Sequence, residues 1–166
     1  MKIVVLALAV AAAVAAGAAR AQPAPGIPLG TGAGVHGPNS PFAPLPQRAD
    51  VVPWPVLTTV ATRNEKNRLL PVFSQEQQAL TRKPQRIQGF MMPLEPGERH
   101  THFLLSAVPL TCQFCVPGGP ESMVEVKAKT PVRYTLEPVV VEGRFQTLAD
   151  DEYGLYYRVT DAVPVK

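Results

Sequence analysis

"YTLEPVVVEGRFQTL", residues 134–148, is a β-branched and aromatic run broken by Gly143, and its reading decides the fold. Such a stretch predicts one long or bulged strand, because branched and aromatic side chains suit a pleated, half-buried surface. A glycine inside a strand marks a bulge or a sharp bend, as occurs where a small barrel turns its corners. Working outward, the same punctuation recurs. "QRIQGFMMPL" (85–94) carries Gly89, and "HFLLSAVPL" (102–110), "SMVEVKA" (122–128) and "GLYYRVTDAVPV" (154–165) are further runs bounded by Gly or Pro. Five short strands in roughly 115 residues predict a mainly β chain, a small OB-like antiparallel barrel.

Upstream, "FSQEQQALTRKP" predicts one short helix. Ser74 as N-cap and Gln77 three residues on form a capping box, and Pro84 forbids continuation. Asn64 to Arg68 reads as a polar loop, and Trp54, between Pro53 and Pro55, as a core anchor. Residues 22–50 hold seven Pro and five Gly, and the expectation there is a disordered Pro/Gly-rich linker in which His36 is solvated. The barrel domain is expected over 51–166.

The first 21 residues combine Met1-Lys2, an apolar Ala/Val/Leu run and Ala19-Arg20-Ala21, the pattern of a secretory signal peptide cleaved after Ala21. A mature chain exported to a bacterial periplasm, soluble and with no transmembrane helix after cleavage, is the expectation. The whole sequence has 16 basic and 13 acidic residues and a pI near 9.0. Losing Lys2 and Arg20 leaves 14 against 13, so the mature chain is nearly neutral and nucleic acid is not an expected partner.

The only two cysteines, Cys112 and Cys115, stand in "LTCQFCVPGGPESMVEV". Thioredoxin-type chemistry needs the first Cys at a helix N-terminus, and Val-Pro-Gly-Gly-Pro after Cys115 cannot propagate a helix. Two readings stay open. An exported chain with an even cysteine count fits a structural disulfide closing a short loop. Two thiolates on a tight turn equally fit a soft-metal clasp for zinc or Cu(I). The metal reading needs further ligands, and His100 and His102 are the candidates, at i and i+2 of an extended stretch. A strand from His102 to Val108 would leave them about 20 Å from the pair unless the chain folds back at Pro109. Met91, Met92 and Met123 suit Cu(I) but also core filling. A homodimer could supply four thiolates, and Glu121 is a ligand carboxylate or a solvated turn charge.

No G-x-S-x-G, H-E-x-x-H or phosphate loop is present, and the glycines of 26–37 lack a preceding strand. Asp150, Asp151 and Glu152 read as a polar hairpin loop. A non-enzymatic binding or accessory protein is expected.

The blocks "RIQGFMMPLE", "HFLLS", "CQFCVPGGPESMVEV", "VVVEGRF" and "YRVTDA", in that order across Val51 to Val165, resemble the bacterial family designated domain of unknown function 3299. The resemblance implies an exported, OB-like protein. It also implies an interaction module of a cell-envelope assembly, with an ABC transporter of the lipoprotein-releasing type as partner.

Overall fold

A computed structural model describes residues 32–165. The expected signal peptide and residues 22–31 of the expected linker lie outside the described residues.

The chain runs α1 (Trp54–Thr58), β1 (Ala61–Glu65), β2 (Arg68–Val72), α2 (Gln75–Leu80), β3 (Pro84–Pro93), β4 (Arg99–Ser106), a 3-10 turn (Pro120–Ser122), β5 (Met123–Arg133), β6 (Val139–Thr147) and β7 (Tyr157–Val165). Strands β3 to β7 close into a five-stranded barrel in the order β3-β4-β5-β7-β6. This is the OB-like barrel expected from the sequence, with one correction. β5 and β7 pair in parallel, while the other four pairs are antiparallel. Closure puts β7 between β5 and β6, so a strand that follows β6 must run beside β5 in the same direction.

Alternation builds the core. Val124 and Val126 on β5, Phe103 and Leu105 on β4, and Tyr157 and Val159 on β7 are fully buried. Burying each such side chain contributes roughly 1.5–3 kcal/mol. Gly143 lies between Val141 and Phe145, both fully buried, and a Cβ there would sit 2.6 Å from Val159 Cγ1 and 2.7 Å from the Thr160 carbonyl oxygen. The β6–β7 register shifts between Glu142 and Arg144, the bulge that the glycine predicts.

Three differences from the sequence reading follow from local chemistry. Among the described residues there are two α-helices, where one is expected. α1 starts at Trp54 behind the N-cap Pro53, and the Trp54 indole N–H donates to the Gln88 carbonyl at 2.9 Å, anchoring the helix to the barrel. The expected polar loop at 64–68 is instead the tip of a hairpin: β1 and β2 pair from Ala61↔Val72 to Glu65↔Arg68, and Lys66 and Asn67 take φ of 50° and 62°. Two left-handed residues are what a two-residue hairpin turn with the correct twist requires. β1 is exposed along its whole length, so it carries no apolar alternation to reveal it. The helix expected after Ser74 forms with its capping box intact, and Gln77, almost fully buried, reaches on to the Val56 carbonyl at 2.8 Å.

The third difference concerns 32–50, read from the sequence as part of a disordered linker. Val35 and Val116 exchange two backbone hydrogen bonds, at 2.8 and 2.9 Å. The segment from Gly32 to Phe42 is thus a strap laid on the barrel end.

Candidate functional site: the disulfide turn and its strap

Between β4 and β5 the chain makes a loop, 107–119, that Pro and Gly keep from becoming helix. The Cys112 amide donates to the Pro109 carbonyl at 3.1 Å and the Cys115 amide to the Cys112 carbonyl at 3.3 Å, two successive tight turns that bring the thiols together. Cys112 and Cys115 form a disulfide with a Cα–Cα separation of 5.3 Å, and both are buried. Of the two readings the sequence left open, the geometry realises the disulfide. Its loop is short, so it restricts the unfolded chain little, by about 2 kcal/mol or less. Its effect is to shape the turn.

The strap runs antiparallel to that turn, contact by contact. At its start the Gly32 amide donates to Glu121 Oε1 at 3.0 Å, so the carboxylate considered as a ligand serves as an anchor. Val35 bridges to Val116. A Cβ on Gly37 would fall 1.8 Å from the Phe114 carbonyl oxygen, so only glycine permits so close an approach of the two backbones. Ser40 Oγ lies 3.3 Å from Cys112 Sγ and 3.5 Å from Cys115 Sγ. Phe42 packs on the disulfide and Val108 and meets Phe90 edge-on, with ring centroids 6.2 Å apart. His36, expected to be solvated, instead turns its ring inward. Its Nδ1 is 3.9 Å from Cys115 Sγ, and its Nε2 is buried without a hydrogen-bond partner among the described residues.

The other expected metal ligands are elsewhere. His100 is buried, with Nε2 3.0 Å from the Gly97 carbonyl and its ring edge-on to Tyr134. His102 Nε2 is 2.7 Å from Glu125 Oε1. The β4–β5 register shifts between them, with His100 opposite Val132 and His102 opposite Lys127, so the extra residues lie on β5 and the two histidines meet different partners. Both precede Ser106, where β4 ends before the disulfide loop, so four strand residues, about 13 Å, separate even His102 from the loop's start. No group of three or more His, Cys, Asp or Glu is arranged for a metal among the described residues. Met91 is buried in the barrel core.

His102 belongs to a cluster that the sequence reading missed. Glu125 points outward between the inward Val124 and Val126, yet it is buried beneath Arg158, His102 and Lys127. Burial pushes its carboxyl pKa up, but hydrogen bonds from Arg158 and His102 and the charges of Arg158 and Lys127 outweigh this, leaving it below its ordinary value of 4.5. Arg158 also pairs with Asp151 at 3.0 Å, and Asp151 accepts from the Tyr153 amide at 3.0 Å. The acidic triplet 150–152 is therefore a polar loop, as expected, with Asp151 committed to holding it. The only sequence signal for the cluster was a charge flanked by valines in mid-strand.

The barrel end around the strap is apolar and open. Val35, Phe114 and Leu136 are 63%, 54% and 56% exposed, and Tyr134 and Val116 are also exposed. Tyr134 and Leu136, with Phe42, Phe90, Met92 and Leu110, line a groove of about 50 Å³. That volume takes a side chain, whereas small-molecule sites run to about 300–1,000 Å³. No helix among the described residues is long and apolar enough to cross a membrane.

No curated protein matches the chain. A crystal structure of a DUF3299 family protein from Pseudomonas aeruginosa is similar at 26% identity, covering 58% of this chain and 68% of that one, with a TM-score of 0.45. The family model described as "Protein of unknown function (DUF3299)" matches residues 54–156, a span that holds the disulfide turn and Glu125 with His102, Lys127 and Asp151, but neither Arg158 nor the strap. With well over half of its length matched, the chain belongs to the DUF3299 family.

Proposed function

We propose that the protein acts without catalysis, as an exported periplasmic accessory module that docks onto a cell-envelope partner through the barrel end built around the Cys112–Cys115 disulfide. The observation that carries this reading is the exposed apolar set of Tyr134 and Leu136, which line a groove sized for a side chain beside Leu110 and Phe42, and Val35, Phe114 and Val116 on the strap and the disulfide turn. Contiguous exposed apolar residues of this kind mark interaction surfaces, and aromatic residues are the usual energetic anchors of such contacts. The disulfide and the strap hold the rim in one shape, which lowers the cost of ordering it on binding. The leader-like first 21 residues support the compartment, and an ABC transporter of the lipoprotein-releasing type is the partner that the family resemblance implies. Soft-metal binding belongs to the reduced form of the cysteine pair.

A photo-crosslinking residue placed at position 114 in cells is expected to capture such a transporter subunit, and one at Lys129, exposed on β5, is expected not to. Phe114→Ala in the purified pair should weaken binding by tenfold or more, as truncating an anchor costs about 2 kcal/mol. Equal capture from both positions, or none from 114, contradicts docking through this rim. Capture only of a second copy of the chain would make the surface a homodimer interface instead.

A further inference from the structure

We propose that reduction of the Cys112–Cys115 disulfide creates a soft-metal site in which His36, carried by the strap, is the third ligand. Such a site lies inside the clasp and not on the rim, so it stands or falls independently of docking.

His36 is held in place from both sides. The Val35–Val116 backbone bridge fixes the residue before it, and the tight approach of Gly37 to Phe114 fixes the residue after it. The imidazole is thereby held over the disulfide with its Nδ1 3.9 Å from Cys115 Sγ. Neither ring nitrogen gains a good protein partner. Nδ1 faces only a weakly accepting sulfur, and Nε2 is buried with no partner among the described residues. A histidine placed so loses hydration without recovering it.

The spacing matches a tetrahedral ion. Zinc–sulfur bonds of about 2.3 Å and zinc–nitrogen bonds of about 2.05 Å at tetrahedral angles put ligand sulfur and ligand nitrogen about 3.6 Å apart, and two sulfurs about 3.8 Å apart. The sulfur–nitrogen distance is already within a few tenths of an ångström of that value. Breaking the bond between the sulfurs lets them separate, with Cys112 Sγ free to take its own place about the ion. Two cysteines with two residues between them on a tight turn are the ordinary half of a zinc site, and here the turn is made by the Cys115 amide on the Cys112 carbonyl.

The chemistry balances with a dithiol reductant, the class of group that carries out thiol–disulfide exchange. Its two thiols give two electrons and two protons to the Cys112–Cys115 bond, becoming a disulfide themselves and leaving two protein thiols. A divalent zinc ion then displaces both thiol protons and takes the Nδ1 lone pair of neutral His36. Three protein ligands leave one position open. His100 and His102 take no part, since Gly97 and Glu125 occupy them.

The test uses cobalt(II) alone, added without oxygen to the mature chain after reduction with dithiothreitol and removal of the reagent. One cobalt per chain is expected, with the intense visible absorption of a tetrahedral site and sulfur-to-cobalt charge transfer, and the oxidised protein should show neither. Cys112→Ser with Cys115→Ser should abolish the spectrum. His36→Ala should weaken binding at least about tenfold, the loss seen even for groups one layer outside a metal, and His36→Cys should restore a tetrahedral spectrum with stronger charge transfer. His102→Ala should change nothing. A weak octahedral spectrum in the reduced wild type, or His36→Ala binding cobalt with unchanged affinity and spectrum, overturns the proposal.

Discussion

Glu125→Ala is expected to lower the unfolding free energy by about 3 kcal/mol, measured by urea denaturation at neutral pH, because it removes one side of a buried charge cluster and leaves the other. Arg158, four-fifths buried along its side chain, would keep Asp151 but lose its close partner, and His102 and Lys127 would lose theirs. Glu125→Gln keeps the shape and should cost less, which separates charge from volume. The cluster also sets a pH dependence whose sign follows from the carboxyl pKa, held below 4.5 in the folded protein. A depressed acid binds its proton less readily folded than unfolded. Its stabilisation is therefore complete above the unfolded value and is lost as pH falls through the folded one. Wild-type stability should fall below about pH 4.5, and Glu125→Gln should make that acid limb shallower, the part that remains coming from carboxyls such as Asp50, which Arg48 and Arg86 also hold below its ordinary value.

Gly143→Val should destabilise the barrel for steric reasons alone, by about 3 kcal/mol or more, and on heating the variant should unfold well below the wild type. The inward side of Gly143 is already filled by Val159 Cγ1, the Thr160 carbonyl and Ala162 Cα at 2.6, 2.7 and 2.9 Å from an added Cβ. Two of these are backbone atoms of the neighbouring strand. They cannot rotate away, so the bulge would have to open and with it the β6–β7 closure. An unchanged melting temperature would mean that the barrel does not turn this corner at Gly143.

The two variants mark what the sequence could and could not reveal. Gly143 was legible because a glycine inside a β-branched run rarely serves anything but a bulge or a bend, and the five strands around it were legible from Gly and Pro punctuation. Glu125 was not, because a charge at an outward position is normally solvated. Its burial comes from Arg158 and His102, 33 and 23 residues away, meeting it across strand pairs that no local pattern specifies. The β5–β7 parallel pairing was hidden for the same reason. At the site, the adjacent cysteines gave away the turn, and the prolines and glycines after them excluded the helix that redox catalysis needs. His100 and His102 looked like ligands by spacing, but Gly97 takes the one and Glu125 the other, and the β4–β5 register shifts between them. His36 looked idle because Pro and Gly around it suggest an unstructured tail. In the fold those same residues let the strap lie flat against the turn, with Gly37 at backbone contact with Phe114.

Residues 32–42 and the disulfide turn form one ordered unit at the barrel end, and both the docking rim and the histidine over the disulfide depend on it. Amide hydrogen exchange at Val35 and Val116 in the oxidised protein tests this most directly, since each amide donates to the other's carbonyl. Protection of both by at least about a hundredfold over a free chain is the predicted result. Exchange of Val35 at the free-chain rate, with the barrel strands still protected, would contradict it.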